Sequence, residues 1–386
     1  MADTKRRSPG DGCITQRKDG RWSSYITLEG GKRKTFYGKT KKEVKEKLKE
    51  AQFAQMKGLL VAAPQQTVGQ FLTSWLEDTH KYHLRIRTYE RYHQYLRLHL
   101  IPGLGHIQLQ KLSPQHLQAF YKQKMDEGLS GTTVGTMHNI LHKALDTAVR
   151  WDLVARNVCE RVTPPRKEHY EIQPLTKDQV QQFMRAIRGN YYENLFLLAL
   201  GTGMRQGEVI ALKWQDVNLE AGTLQVRRVL SHVDQRLRKN GAPAYIEAEP
   251  KTESSRRTIV LPKFVIASLL AHRAEQQDIK LVAGDTWVDQ DYVFCTAKGR
   301  HLHPNPIVVA FKKVLKRAGL PDIRFHDLRH TAATMLLDLG VHPKIVQERL
   351  GHSEISMTMD IYSHVMPTMQ RQAITRLDDA FLGELA

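Results

Sequence analysis

One stretch restricts this chain more than any other: residues 325 to 364 read FHDLRHTAATMLLDLGVHPKIVQERLGHSEISMTMDIYSH. The apolar run Met335, Leu336, Leu337 and Leu339 predicts a helix entering the interior, and Gly340 stops it. His326 and Arg329 stand three apart at the start of that helix, which puts both side chains on one face. A second short helix is expected to end at Leu350-Gly351-His352, and Tyr362 follows ten positions after that histidine (362 − 352). A planar cation, two imidazoles and a phenol are the parts needed to attack a phosphodiester with a tyrosine oxygen.

The whole 386-residue chain is too long for one ordinary core and predicts two or three domains. Its 41% hydrophobic and 25% charged content is globular. Lysine and arginine outnumber aspartate and glutamate 58 to 40, a net charge of +18 that implies a polyanionic partner. Nucleic acid and an anionic membrane are the candidates. No run approaches the roughly 18 apolar residues of a spanning helix, and Met1 to Gly12 lacks a signal-peptide core, so no membrane is expected. Cys13, Cys159 and Cys295 are odd in number and in no paired spacing, which argues against disulfides and a Cys-based zinc site and for a reducing, cytoplasmic compartment.

Along the chain, residues 1–12 form a basic tail. Arg21 to Leu28 and Lys32 to Tyr37 alternate about a Glu29-Gly30-Gly31 turn, predicting a hairpin. Thr40-Lys41-Lys42-Glu43 reads as a capping box opening a helix with Val44, Leu48 and Ala51 on its inner face. A linker over about 58–66 precedes a helical region at 66–162. There Val68, Phe71, Leu72, Trp75 and Leu76 form one stripe, and a helix from Tyr89 to Leu100 ends at the break Ile101-Pro102-Gly103. Ser113-Pro114 opens a third helix and 131–151 a fourth. Trp75, Tyr89, Tyr92 and Tyr95 read as packing rather than base contacts. Proline-rich 163–174 is a second connector, and the capping box Thr176-Lys177-Asp178-Gln179 opens a last domain, 175–386. It carries β-type segments near 223–230, 244–248 and 256–261 and a short Tyr292-Val293-Phe294 segment.

The order HDLRHT, LGH and a tyrosine in IYSH resembles the tyrosine recombinase, or phage integrase, family. Thr202-Gly203-Met204-Arg205-Gln206-Gly207-Glu208 and Pro250-Lys251-Thr252 with Ser254-Ser255-Arg256-Arg257 lie upstream in the family's order. The resemblance is strong from about residue 65 onward and looser before it. It implies a multidomain, mostly α fold with small β-sheets: an arm-type DNA-binding domain at 13–58, a helical core-binding domain, and a mixed α/β catalytic domain with a C-terminal docking helix. Ile374, Leu377 and Phe381 stand at helical spacing in that last helix, which docks on its own domain or on a neighbour's. Arg21, Lys32, Arg33 and Lys34 are the arm-domain candidates for DNA contact, against a basic but idle surface. The excursion 231–241, with Arg236, Arg238 and Lys239, is either a further DNA-contacting loop or a solvated one.

Guanidinium forks match the oxygens of a pentavalent phosphorane, so Arg205 and Arg329 are the two clamps, with Glu208 orienting Arg205. A phenol has a pKa of about 10, and His326 is the candidate acceptor of the Tyr362 proton. His352 is read as a hydrogen-bond donor to phosphate and His330 as a supporting residue. The resemblance implies that Lys251 protonates the departing 5′ oxygen. It also implies a 3′-phosphotyrosyl intermediate that retains the phosphodiester's energy, with no ATP, metal or other cofactor required. The i, i+4 pair His326 and His330 and the pair His301 and His303 raise a zinc alternative, but Arg329 between the first two is a poor neighbour for a cation. Integration and excision of a mobile element is the leading function. The partners expected are double-stranded attachment sites, a homotetramer on DNA, an accessory DNA-bending protein and an excisionase. A non-enzymatic DNA-binding regulator and a type IB-like topoisomerase are the competing readings.

Overall fold

The computed structural model describes residues 13–27, 33–56, 66–166, 173–232, 245–249 and 255–355, together with Met359, Ile374 and Phe381. It divides into two compact units, Met1–His169 and Tyr170–Ala386.

The first unit begins with an antiparallel sheet of β1 (Cys13–Gln16), β2 (Trp22–Thr27) and β3 (Arg33–Gly38), in that order. β2 and β3 are the expected hairpin, with Ser24 opposite Phe36; its Glu29-Gly30-Gly31 turn lies outside the described residues. β1 is an addition, too short to leave a pattern. Helix α1 (Lys41–Met56) covers one face, burying Val44, Leu48 and Ala51 with Ile26. The Thr40 hydroxyl accepts from the Glu43 amide as expected, but the Glu43 carboxylate turns back to the amide of Lys39 instead of Thr40.

Helix α2 (Val68–Ser74), capped reciprocally by Thr67 and Gln70, runs on into a π-helical segment, Trp75–His80. α3 (Ile86–Tyr95) runs likewise into π-helical Leu96–Leu100 and then α4 (Ile101–Leu104). The expected break at Ile101-Pro102-Gly103 is therefore displaced. Pro102 is accommodated inside the continuous helical run, just after its π-helical segment, and the chain leaves the helix at Gly105. α5 (Pro114–Asp126) and α6 (Gly131–Arg150) complete this part, capped by Ser113 and Ser130. Trp75 is fully buried, donates Nε1 to the Thr147 hydroxyl at 3.2 Å and stacks on His80 and Tyr92. Tyr89 is buried as well, while Tyr92 and Tyr95 are half-buried.

In the second unit, the reciprocal Thr176–Gln179 box opens α7 (Lys177–Ala186), followed by α8 (Glu193–Thr202) and the single turn α9 (Gln206–Val209). β4 (Val217–Asn218), β5 (Thr223–Val226) and β8 (Arg257–Val260) form one antiparallel sheet, and β6 (Val229–His232) pairs with β7 (Tyr245–Ala248) in a ribbon. The Tyr292-Val293-Phe294 segment makes only a single bridge, Lys213 to Tyr292. α10 (Lys263–Ala283), α11 (Pro304–Arg317), α12 (Asp327–Asp338) and α13 (Pro343–Leu350) follow. The core centres on Phe183, Phe196, Phe311 and Phe325, whose rings meet at 5.6–6.2 Å. α12 packs on α8, and its buried Thr331 hydroxyl accepts the Leu175 amide at 3.1 Å. Among the described residues, no helix is long and apolar enough to cross a membrane.

Candidate active site

Two helices that end in left-handed glycines build the site. α8 stops at Gly203 (φ +66°), where a Cβ would lie 2.4 Å from a Leu350 methyl, so only glycine fits the turn. α13 stops at Gly351 (φ +69°). Both turns leave a carbonyl facing the same cluster of cations.

Arg205 follows the first turn as the residue before α9. Glu208 closes the turn, accepting the Arg205 amide at 3.0 Å and its Nη1 at 2.8 Å. Arg205 Nη2 donates to the Gly351 carbonyl at 3.2 Å, and 35% of the side chain stays open to solvent. Arg329, in the first turn of α12, is 2% exposed and donates Nη1 to the Gly203 carbonyl at 2.9 Å. Its Nη2 is buried without a hydrogen-bond partner among the described residues. Burial, and then the charge of Arg205, bring the Arg329 pKa down to about 9, so the guanidinium remains charged at neutrality.

His352 follows Gly351 and is buried, its backbone held by the Gln347 carbonyl and side chain. Burial and the charges of Arg329 and Arg205 push its pKa down to about 3. His326, just before α12, is exposed on one side while its ring packs edge-on against His330 at 5.2 Å. Desolvation of that packed ring, then the charges of His330, Arg329 and Arg205, bring it down to about 4. Both imidazoles are thus neutral at pH 7. His330 is also held below its ordinary value, chiefly by burial, and its Nδ1 is buried without a hydrogen-bond partner among the described residues. The His326 and His330 rings meet edge to face, at an interplanar angle of 78°.

The structure therefore brings together Arg205, His326, Arg329 and His352, with Glu208 and His330 beside them. Lys251 and Tyr362 lie outside the described residues, as do Lys32, Arg236, Arg238 and Lys239. Arg21, Arg33 and Lys34 are exposed on the first unit's sheet; Arg21 pairs with Asp19, and Arg33 lies over the Tyr25 ring at 4.7 Å.

Residues 173–369 match the phage integrase family, and residues 67–125 match the phage integrase N-terminal SAM-like domain. The chain belongs to the phage integrase family. It is a tyrosine recombinase, an enzyme that cleaves and rejoins DNA strands. A "tyrosine recombinase XerC-like" protein of Caldanaerobacter subterraneus subsp. tengcongensis is 35% identical over 368 residues, 92% of this chain and 94% of that protein. An integrase of Streptomyces ambofaciens is 31% identical over 386 residues, covering 96% of each. In fold, the recombinase is similar to the Tn1549 transposon integrase in complex with a circular intermediate DNA, with a TM-score of 0.68 and 23% identity over 81% of this chain and 99% of that one. It is also similar to a lambda integrase dimer bound to a core site, with a TM-score of 0.57 and 17% identity over 93% and 96% of the two chains.

Arg257 belongs to this site as well, although its motif alone assigned it no part. Its side chain is 6% exposed and paired with Glu208 at 2.9 Å. The signal was present in β8: Arg257 shares the inward phase of Ile259, and a charge on the apolar side of a strand requires a buried counter-charge.

Proposed function

We propose that this recombinase integrates and excises a mobile element, with Tyr362 as the nucleophile and Arg205 and Arg329 as clamps on the scissile phosphate. The phenolic oxygen bonds to phosphorus and the bond to the 5′ oxygen breaks, leaving a 3′-phosphotyrosyl link and a free 5′ hydroxyl. His326 accepts the phenol's proton, and Lys251 gives one to the leaving oxygen. His352, neutral at working pH, donates a hydrogen bond to a non-bridging oxygen. Reversal with a second strand's 5′ hydroxyl rejoins the DNA.

One observation carries this reading: Arg329 is a buried, charged guanidinium steered by a backbone carbonyl, with Nη2 unspent among the described residues. Among the described residues no carboxylate pairs directly with Arg329, and a buried cation so placed is costly unless an anion completes it. A phosphate held by Arg205 and Arg329 together supplies that anion.

Lambda integrase forms a tetramer on a Holliday junction, and we extend that assembly to this chain. The exposed Arg21, Arg33 and Lys34 support an arm-site contact by the N-terminal sheet, which would raise the enzyme's local concentration at its core site. An accessory bending protein, an excisionase and a cytoplasmic setting complete the proposal.

The test is incubation with a nicked duplex carrying the element's junction sequence. A covalent adduct that Tyr362→Phe abolishes is expected. No adduct on such DNA would favour a regulator, and relaxation of supercoils on arbitrary DNA would favour a topoisomerase.

A further inference from the structure

We infer that Arg257 is a positioning residue for DNA cleavage: it holds Glu208 so that Arg205 points at the phosphate, and fixes the end of α13 that carries Gly351 and His352.

Arg257 uses its donors differently from the two clamps. Nη2 donates to Glu208 Oε2 at 2.9 Å and Nη1 to Oε1 at 3.4 Å, while Nη1 also reaches the Ser255 carbonyl at 3.1 Å. Nε donates to the Arg349 carbonyl at 2.6 Å. Its fork is occupied by the carboxylate, so it is not arranged to grip phosphate.

Glu208 in turn is a shared anion. It is 2% exposed and binds the amide and guanidinium of Arg205 on one side and the guanidinium of Arg257 on the other. Burial alone would raise its carboxyl; the charge and hydrogen bonds of Arg257, then those of Arg205, outweigh it and hold the group below its ordinary value. Without Arg257 the carboxylate is free to rotate toward Arg205, or to take up a proton and release its grip.

The contact with α13 is reciprocal. Arg257 of β8 donates to the Arg349 carbonyl, while Arg349 donates Nη1 to the Val260 carbonyl of β8 and Nη2 to the Gly201 carbonyl, each at 2.9 Å. These bonds lock the strand, the end of α8 and the last turn of α13 together. That last turn supplies Gly351, whose carbonyl receives Arg205, and then His352. One side chain thus braces the clamp's carboxylate and the helix end holding its second acceptor.

This inference rests on Arg205 being a phosphate clamp. The test is single-turnover adduct formation by the full-length protein on the nicked junction duplex, with duplex affinity and thermal unfolding measured alongside. Arg257→Lys keeps a cation beside Glu208 but loses the fork; Arg257→Met loses both. Affinity within about threefold of the parent is expected, with adduct formation slowed roughly tenfold for the lysine variant and roughly a hundredfold for the methionine variant. In Arg257→Met the rate should also fall toward acid at a higher pH than in the parent, as Glu208 gains a proton. The double variant with Glu208→Gln should be no slower than the slower single one. Parental rates in both Arg257 variants, with Arg205→Ala and Tyr362→Phe inactive, would overturn the inference and leave the site reading standing. Loss of affinity and rate in equal proportion in Arg257→Lys would make Arg257 a fold brace only and also overturn it. Full activity in Arg205→Ala would remove the site reading itself.

Discussion

Arg329 and Gly203, 126 positions apart, are joined by a 2.9 Å hydrogen bond from guanidinium Nη1 to the carbonyl oxygen. The glycine's left-handed turn turns that carbonyl toward α12, and the Leu350 methyl leaves no room for a Cβ. Gly203→Ala should cost about 1–2 kcal/mol from backbone strain alone, more with the clash. With Arg329 as the proposed clamp, a shift of about 1 Å should also slow cleavage roughly a hundredfold. Thermal unfolding and single-turnover cleavage read the two effects separately, and parental values in both would refute the steering role.

Replacing Arg329 tests the geometry of the proposed clamp as distinct from its charge. Arg329→Lys keeps a cation but cannot offer two parallel donors. Cleavage is expected to fall by about 10²–10³-fold while duplex affinity changes little, because affinity is spread over many phosphate contacts. Gel-shift titration beside adduct kinetics checks this, and an equal loss in both would count against a transition-state role.

His352 makes stability depend on pH in a defined direction. Its imidazole takes up a proton near pH 6.5 when unfolded but only near 3 in the folded chain. The folded state's advantage is therefore whole above pH 6.5 and lost as pH falls toward 3, by about 1.4 kcal/mol per unit. His326 shifts in the same sense, but its exposed side lets solvent screen the effect. Urea unfolding of the parent should show a lower midpoint at pH 5.5 than at 7.5, and His352→Gln should narrow that gap. An equal gap in both proteins would contradict the assignment.

Thr331 ties the start of the second unit to α12, the helix of Arg329, through a buried bond to the Leu175 amide. Thr331→Val keeps the shape and strands the amide, which should cost about 1–3 kcal/mol. Chemical denaturation measures this, and a loss under about 0.5 kcal/mol would mean water or a shift of the chain satisfies Leu175.

The elements most legible in the sequence were those with local signals. Thr176 with Gln179, and Ser113 with Pro114, start α7 and α5 where they stand because capping is decided within four residues. The clustering of Arg205, His326, Arg329 and His352 was anticipated from motif order. Helix length past Leu100 was not, since a π-helical segment adds a residue per turn without leaving a distinctive period. β1 was missed because four residues carry too little alternation. Arg257 is not legible on its own, because its meaning depends on Glu208, 49 positions earlier, reaching the same buried spot.

Gly203 and Gly351 each lend a backbone oxygen to one of the two proposed clamps, so the aim of those guanidinium groups and the chain's attraction for DNA would be governed by different parts of the molecule. If the proposed tetramer forms, a chain altered only at one of these glycines should still be drawn to the duplex and take its place in that assembly. It would obstruct strand exchange by occupying a position it cannot use, so such changes should act dominantly where normal and altered copies are made together.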